Sequence, residues 1–398
     1  METRAGGEQR RMTGATARGL DRAEILKRAS GLIPTLRVRA ARCEAGRRVP
    51  DDTIADLIDS KLLRICQPAR FGGSELGWDT LCEMSIEMAR GDGSQAWVAN
   101  VYGEHPYIVA MFADEAQHEV WDDDPDALIA GSLLPAGNKT EKVDGGYRLS
   151  GKWPFASGIH HANWALVGEI GEVADGQRDH FLFLVPAADY AIDDDWFTVG
   201  MTGTGSASVV LDDRFVPAHR IIRGSDILAG TTPGTRVNTA PLYRMPLMGY
   251  AQTALAAVPI GVALGMVDDF KNFIRGKSKA PPPIAGMELL HARLSESAVE
   301  IHAASMLLVG AARRNMNKLI AGVALAESDA ATTARDSGYA LLLAKRAASR
   351  IFEATGAHGT YLSTPIQRGF RDVEVAGNHG SLTWERAALR YAQTALKG

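Results

Sequence analysis

The groups best suited to chemistry in this chain are two sets of hydroxyls set among glycines, and several histidines. The first set closes the segment Trp153-Pro154-Phe155-Ala156-Ser157-Gly158. A small hydroxyl at Ser157 can accept a hydrogen bond from a bound N–H, and Gly158 lets backbone approach closely. The plainer alternative is a serine that satisfies a turn. The second set is Thr202, Thr204 and Ser206 in Met201-Thr-Gly-Thr-Gly-Ser206. His105, just before Pro106, can hydrogen-bond or deprotonate an acidic hydroxyl; His379, in Asn378-His379-Gly380, can donate to an oxygen. Their plain alternatives are a satisfied histidine at a helix end and an exposed loop histidine.

Three blocks must position these groups. Residues 21–126 carry helical periodicity, for example Ile25, Ala29, Ile33 and Leu36 along one stripe. Asp51 or Asp52 is expected to cap a second helix and Asp79 or Thr80 to start a third. Residues 127–236 turn to alternating patterns such as YRLSGKW and HFLFLVP, with Asp144-Gly145-Gly146 as a hairpin turn. Residues 237–398 are helical and alanine-rich again, with APPPIAG at 280–286 breaking two long helices. Residues 1–20 are polar and basic with no apolar core and read as a disordered tail. A helical, a β and a second helical block predict an α+β fold and disfavour alternating βαβ units.

The composition is that of an ordinary globular chain: 398 residues, 46% hydrophobic, net charge −4. That balance argues against nucleic acid or anionic membrane as partner. The three cysteines have no metal-ligand or paired spacing, which fits a reducing cytoplasm. The apolar run 251–266 contains Pro259 and reads as a core helix rather than a membrane span.

Three segments resemble the acyl-CoA dehydrogenase superfamily and run in its order along nearly the whole chain. They are LRICQPARFGGSELGWDTLCEMSIEMARGDGSQAWV (63–98), WFTVGMTGTGSASVVLDDRFVPAHRII (196–222) and EATGAHGTYLSTPIQRGFRDV (353–373). The resemblance implies an N-terminal helical domain, a central β-barrel or sandwich and a C-terminal four-helix bundle. WPFASG (153–158) is similar to the two-component flavin hydroxylases on that fold, such as those acting on hydroxyphenylacetate and steroid-derived phenols. Where the dehydrogenases carry a catalytic glutamate after an Arg-Asp element, this chain reads Asn378-His379, and Glu374 lies too near Asp372 to be the same position.

The resemblance therefore implies the oxygenase component of a flavin-dependent monooxygenase. It would receive reduced flavin, FMNH2 or FADH2, from a separate NAD(P)H:flavin reductase and hydroxylate a small phenol-like or polyketide aromatic with O2, through a C4a-hydroperoxide. Ser157 would hydrogen-bond the flavin N5–H, His379 the distal peroxide oxygen, and His105 the phenol. Ser132 and Arg244 fall where related hydroxylases bind substrate. Trp153 and Phe155 would wall the isoalloxazine, with Thr202, Thr204 and Ser206 against the ring or its tail. Gly356, His358, Gly359 and Tyr361 would reach a neighbouring subunit's flavin, which requires a homo-oligomer, a tetramer in this family. Arg275, Lys277 and Lys279 offer cations for phosphate. Alternatives are an acyl-CoA dehydrogenase-like FAD oxidoreductase, an N- or S-oxygenase, and a silent scaffold.

Other signals are weaker. Glu115-x-x-His118 and Glu288-x-x-His291 match half of a di-iron pattern each, but the β block separates them. His160-His161 lacks a third ligand at fixed spacing, so no metal is expected. The Gly-x-Gly of 203–205 precedes no strand–helix unit and makes a poor dinucleotide fingerprint.

Overall fold

The computed structural model of the protein describes residues 19–174, 176–247, 249–250, 252–278 and 286–397. The expected tail up to residue 18, Lys279 and positions 280–285 of the breaker lie outside the described residues. Five helices come first: α1 (Arg22–Gly46), α2 (Asp51–Asp59), α3 (Trp78–Ala89), α4 (Gly93–Val109) and α5 (Asp114–Trp121). Eight strands follow: β1 (Ile129–Ser132), β2 (Lys139–Val143), β3 (Gly146–Trp153), β4 (Trp164–Ala174), β5 (Gln177–Pro186), β6 (Ala191–Asp193), β7 (Ser208–Pro217) and β8 (Ile221–Arg223). After the short α6 (Gly224–Ala229) come α7 (Gln252–Ser278), α8 (Met287–Ile320), α9 (Glu327–Thr355), α10 (Pro365–Ala376) and α11 (Trp384–Ala395).

The helix that matters most is α4. Asp92 caps it, accepting the Gln95 N–H at 2.9 Å. All seventeen of its residues are buried, because it is apolar almost all round and other elements cover every side. Pro106 sits inside α4 and does not end it, so His105 is an interior helix residue rather than a helix-end one. The removed N–H comes only one turn before the helix stops. The expected aspartate caps of α2 and α3 are not made: Pro50 and Gly77 hold those positions, and Asp51, Asp52 and Asp79 fall in the first turns, where a negative charge suits the helix dipole.

The strands form two four-stranded sheets, ordered β1-β4-β5-β8 and β2-β3-β7-β6. β2 and β3 make the expected hairpin, with Gly145 in the left-handed turn conformation. Trp153 corrects one expectation. It is 0% exposed, and its Nε1–H donates to the Gly168 carbonyl of β4 at 2.9 Å. The side chain joins the two sheets and has no surface left to wall a cofactor. Tyr147, on the same strand, packs on Phe181 and Phe183 of β5.

In the C-terminal block α7 packs on α3, α8, α9 and α10, and α11 lies on α9. Among the described residues α7 is the one helix long and apolar enough to cross a membrane, and most of it is buried in this packing.

Asp372 of α10 links the bundle to the β block by accepting the Met201 N–H at 2.5 Å. Burial, with the neighbouring Asp92, pushes its carboxyl up to about 7, against the pull of Arg368 and Arg371. A carboxyl raised on folding stabilises fully below its unfolded pKa near 3.8, and that contribution drains away as pH climbs to the folded value. Asp372→Asn keeps the acceptor and removes the charge. Its thermal midpoint is expected to rise relative to the wild type between pH 4 and 7, by the equivalent of about 2–4 kcal/mol, and to stay level above. Melting curves that run parallel across that range would show that Asp372 does not titrate as described.

Candidate active site

The turn after β3 meets the loop before β7. The Ala156 N–H donates to the Ala207 carbonyl at 3.2 Å and the Gly158 N–H to the Thr204 carbonyl at 2.9 Å. Gly158 has φ +77°, and a Cβ there would lie 2.8 Å from the Tyr102 hydroxyl of α4. Glycine is thus required for the turn to rest on the helix.

This junction brings Ser157, Ser206 and Thr204 into one buried string. Ser157 Oγ lies 2.7 Å from Ser206 Oγ, which lies 2.7 Å from Thr204 Oγ1. Thr204 Oγ1 donates to the Met201 carbonyl at 2.8 Å, and the Trp97 Nε1–H donates to Ser157 Oγ at 3.0 Å. These contacts fix the direction of every proton. A carbonyl only accepts, so the single Thr204 proton points to Met201. Thr204 must then accept from Ser206, and Ser206 from Ser157. Ser157 has spent its proton and one lone pair, and keeps one lone pair as an acceptor. What it can still bind is an N–H or O–H donor.

Trp97 was not singled out from sequence. It stands on α4 with its ring between the hydroxyl string and His379, whose ring centroid is 6.1 Å away. His379 lies between α10 and α11. Its Nδ1 faces both the Ser381 hydroxyl (2.8 Å) and the Ser381 N–H (3.4 Å). A backbone N–H can only donate, so the imidazole proton belongs on Nε2, which leaves Nε2–H as a donor. Desolvation lowers the pKa of this ring, which favours its neutral form.

His105 has the opposite tautomer. Its Nδ1 lies 2.8 Å from the Ile129 carbonyl of β1 and must carry the proton. Burial drives its pKa down to about 4, so at neutral pH its Nε2 is an unprotonated acceptor. The ring packs so close to β1 that a Cβ at Gly131 would sit 3.2 Å from its Cε1. Ser132, half-buried, is the next residue of that strand.

The remaining expected residues are spread over several elements. Phe155 is 67% exposed, takes φ +68° and sits edge-on to Trp196 at 6.0 Å, so its ring is free to contact a ligand. Thr202 donates to the Thr198 carbonyl at 3.0 Å and stays outside the string. Gly356, His358 and Tyr361 are exposed, in and just after a single-turn segment following α9, with Gly359 packed on Thr355; Tyr361 is 64% exposed. Arg244 is an exposed residue whose guanidinium caps α8 by donating to the Leu319 carbonyl at 2.7 Å. The two Glu-x-x-His segments lie apart on α5 and α8, and His118 is bound to Asp122 at 2.8 Å.

Residues 33–122 match the acyl-CoA dehydrogenase N-terminal domain and residues 253–384 the acyl-CoA dehydrogenase C-terminal domain. The chain is 34% identical to the oxygenase component of the FADH(2)-dependent resorcinol hydroxylase of Rhizobium sp., over 94% of each chain. This protein belongs to the acyl-CoA dehydrogenase family. The crystal structure of the 3-HSA hydroxylase of Rhodococcus sp. RHA1 superposes with a TM-score of 0.90 at 33% identity, covering 95% of this chain and 98% of that one. XiaF of Streptomyces, solved with FADH2 and glycerol, gives a TM-score of 0.87 at 29% identity, covering 95% and 96%. The first carboxylate after Arg371-Asp372 is not free. Glu374 is held by Lys345 at 2.8 Å, and His379 occupies the following loop.

Proposed function

We propose that this chain is the oxygenase component of a two-component flavin-dependent monooxygenase that hydroxylates a small phenolic aromatic. The observation that carries this reading is the one-way hydroxyl string that leaves Ser157 a pure acceptor. Reduced flavin presents a donor at N5 where oxidised flavin presents a lone pair, so the residues fit the reduced form. Bound there, FMNH2 or FADH2 supplies the electrons that split dioxygen and delivers one oxygen atom to the ring. A separate NAD(P)H:flavin reductase provides it, as the likeness to an FADH(2)-dependent oxygenase component supports.

The chain's own side chains have distinct tasks. Ser157 holds the cofactor N–H, and Trp97 and Phe155 exclude water. His379 offers Nε2–H to developing negative charge on oxygen. His105 accepts the substrate hydroxyl at Nε2 and draws electron density toward the ring carbon to be attacked. A second copy of this chain, in a tetramer, would bring Gly356, His358, Gly359 and Tyr361 to the cofactor; the exposed Tyr361 and Leu362 suit burial there.

The test is anaerobic reduction of FMN or FAD, addition of protein, then oxygen with a panel of phenols. Hydroxylated product in near-equal yield to flavin oxidised is expected for at least one phenol. Hydrogen peroxide alone with every phenol, or electron uptake from an acyl thioester, would overturn the assignment.

A further inference from the structure

Helix α4 carries one carboxyl, Glu104, and the scheme above does not use it. Trp97, Val101, Glu104 and His105 stand at i, i+4, i+7 and i+8 and share one helix face. These four keep 4–7% exposure, whereas Val98, Ala99, Asn100 and Tyr107 are at 0%, as is Ile108, which closes the same face one turn beyond Glu104. The face with residual access is the one that bears Trp97 and His105, which places Glu104 on the wall of the same site.

Among the described residues, nothing donates to the Glu104 carboxyl or pairs with it, and desolvation is the sole cause of its raised pKa, about 8. Its oxygens are not among the interior polar atoms sealed off without a partner, a set that includes Asn100 Nδ2 one turn earlier. They keep a small accessible surface. An unpartnered carboxyl in an apolar wall of Cys66, Cys82 and Tyr107 is destabilising, so a leucine-like side chain would serve packing better.

We propose that Glu104 is a substrate-binding residue that selects aromatics with two ring hydroxyls. Its carboxyl pairs with the second hydroxyl while His105 Nε2 accepts the first. At neutral pH the raised pKa keeps it protonated, so it offers one donor and one acceptor, the complement of a hydroxyl. The inference rests on the monooxygenase reading and names the substrate class for it.

The experiment compares monohydroxybenzene with its 1,2-, 1,3- and 1,4-dihydroxy counterparts in wild type, Glu104→Gln and Glu104→Leu. The wild type is expected to show a KM at least ~10-fold lower for one dihydroxy isomer than for the monohydroxy compound. That ratio should fall toward one in Glu104→Leu and be largely kept in Glu104→Gln, which retains a donor and an acceptor. A ratio equal in all three proteins, or a loss of kcat shared by all substrates, overturns the proposal. If Glu104→Leu does not fold, Glu104→Ala takes its place under the same criterion. Failure of the monooxygenase reading looks different: wild-type protein would then oxidise reduced flavin without hydroxylating any of these compounds.

Discussion

Ser157→Ala should lower the product formed per reduced flavin oxidised by ~10-fold or more, with hydrogen peroxide making up the difference. The substitution removes the one lone pair free to receive a cofactor N–H, and it orphans the Trp97 Nε1–H that now ends on Ser157 Oγ. A buried donor left unpaired costs about 1–3 kcal/mol, and that strain falls on the ring that shields the site. Peroxide and product are measured in the same reaction, so the partition is read directly.

Ser206→Ala separates a direct role for Ser157 from the directional argument. Without Ser206 the Ser157 proton is released and can turn toward the cofactor. Oxidised flavin should then gain affinity relative to reduced flavin by ~5–10-fold, measured by fluorescence titration of the oxidised form and anaerobic titration of the reduced one. An unaltered ratio would mean that the hydroxyls do not set the preference.

The second large effect is expected at His105. His105→Ala should reduce kcat/KM by ~10–100-fold, because a hydrogen bond to an oxygen gaining negative charge is worth about 1.5–3 kcal/mol. His105→Asn should recover part of the loss, since its carbonyl oxygen also accepts. The pH profile offers an independent check. With the pKa near 4, His105 is neutral throughout pH 6–9 and contributes no limb there; protonation and loss of the acceptor begin only as pH falls toward 4. A limb near pH 6.5 that disappears in His105→Asn would show that the ring is not desolvated as described.

Much of this was legible in the sequence because local pattern and tertiary outcome agreed. The switch from helical to alternating periodicity marks where strands begin, and the Asp144-Gly145 turn forms as its residues demand. The string of Ser157, Thr204 and Ser206 joins two separate glycine-rich segments that sequence could only flag one at a time. The misses have identifiable causes. The resemblance gives Trp153 and Phe155 the same task, and alternation along a strand would put both on one face. The strand ends at Trp153, however, and Phe155 adopts a left-handed backbone, so one ring turns into the core and the other to solvent. The Arg244 contact with a carbonyl at the end of α8 joins residues 75 apart, which no local pattern announces. Trp97 and Glu104 lie in a helix buried on every side, where no amphipathic stripe points to the functional face. A signal was present in one case: Glu104 and His105 are adjacent polar residues in an otherwise apolar stretch.

Met201 adopts φ +52°, and its carbonyl, which also receives the Trp196 Nε1–H at 3.1 Å, is the terminus that orients the three hydroxyls. Because that terminus is main chain, mutation at position 201 can exchange the side chain but cannot delete the oxygen. Reversing the polarity would require turning over the Met201–Thr202 peptide plane, while the plane before it is fixed by the Met201 N–H donated to Asp372 of the bundle. The polarity of the three hydroxyls is therefore set by a main-chain oxygen, next to the point where the helical bundle docks, rather than by a replaceable side chain at position 201.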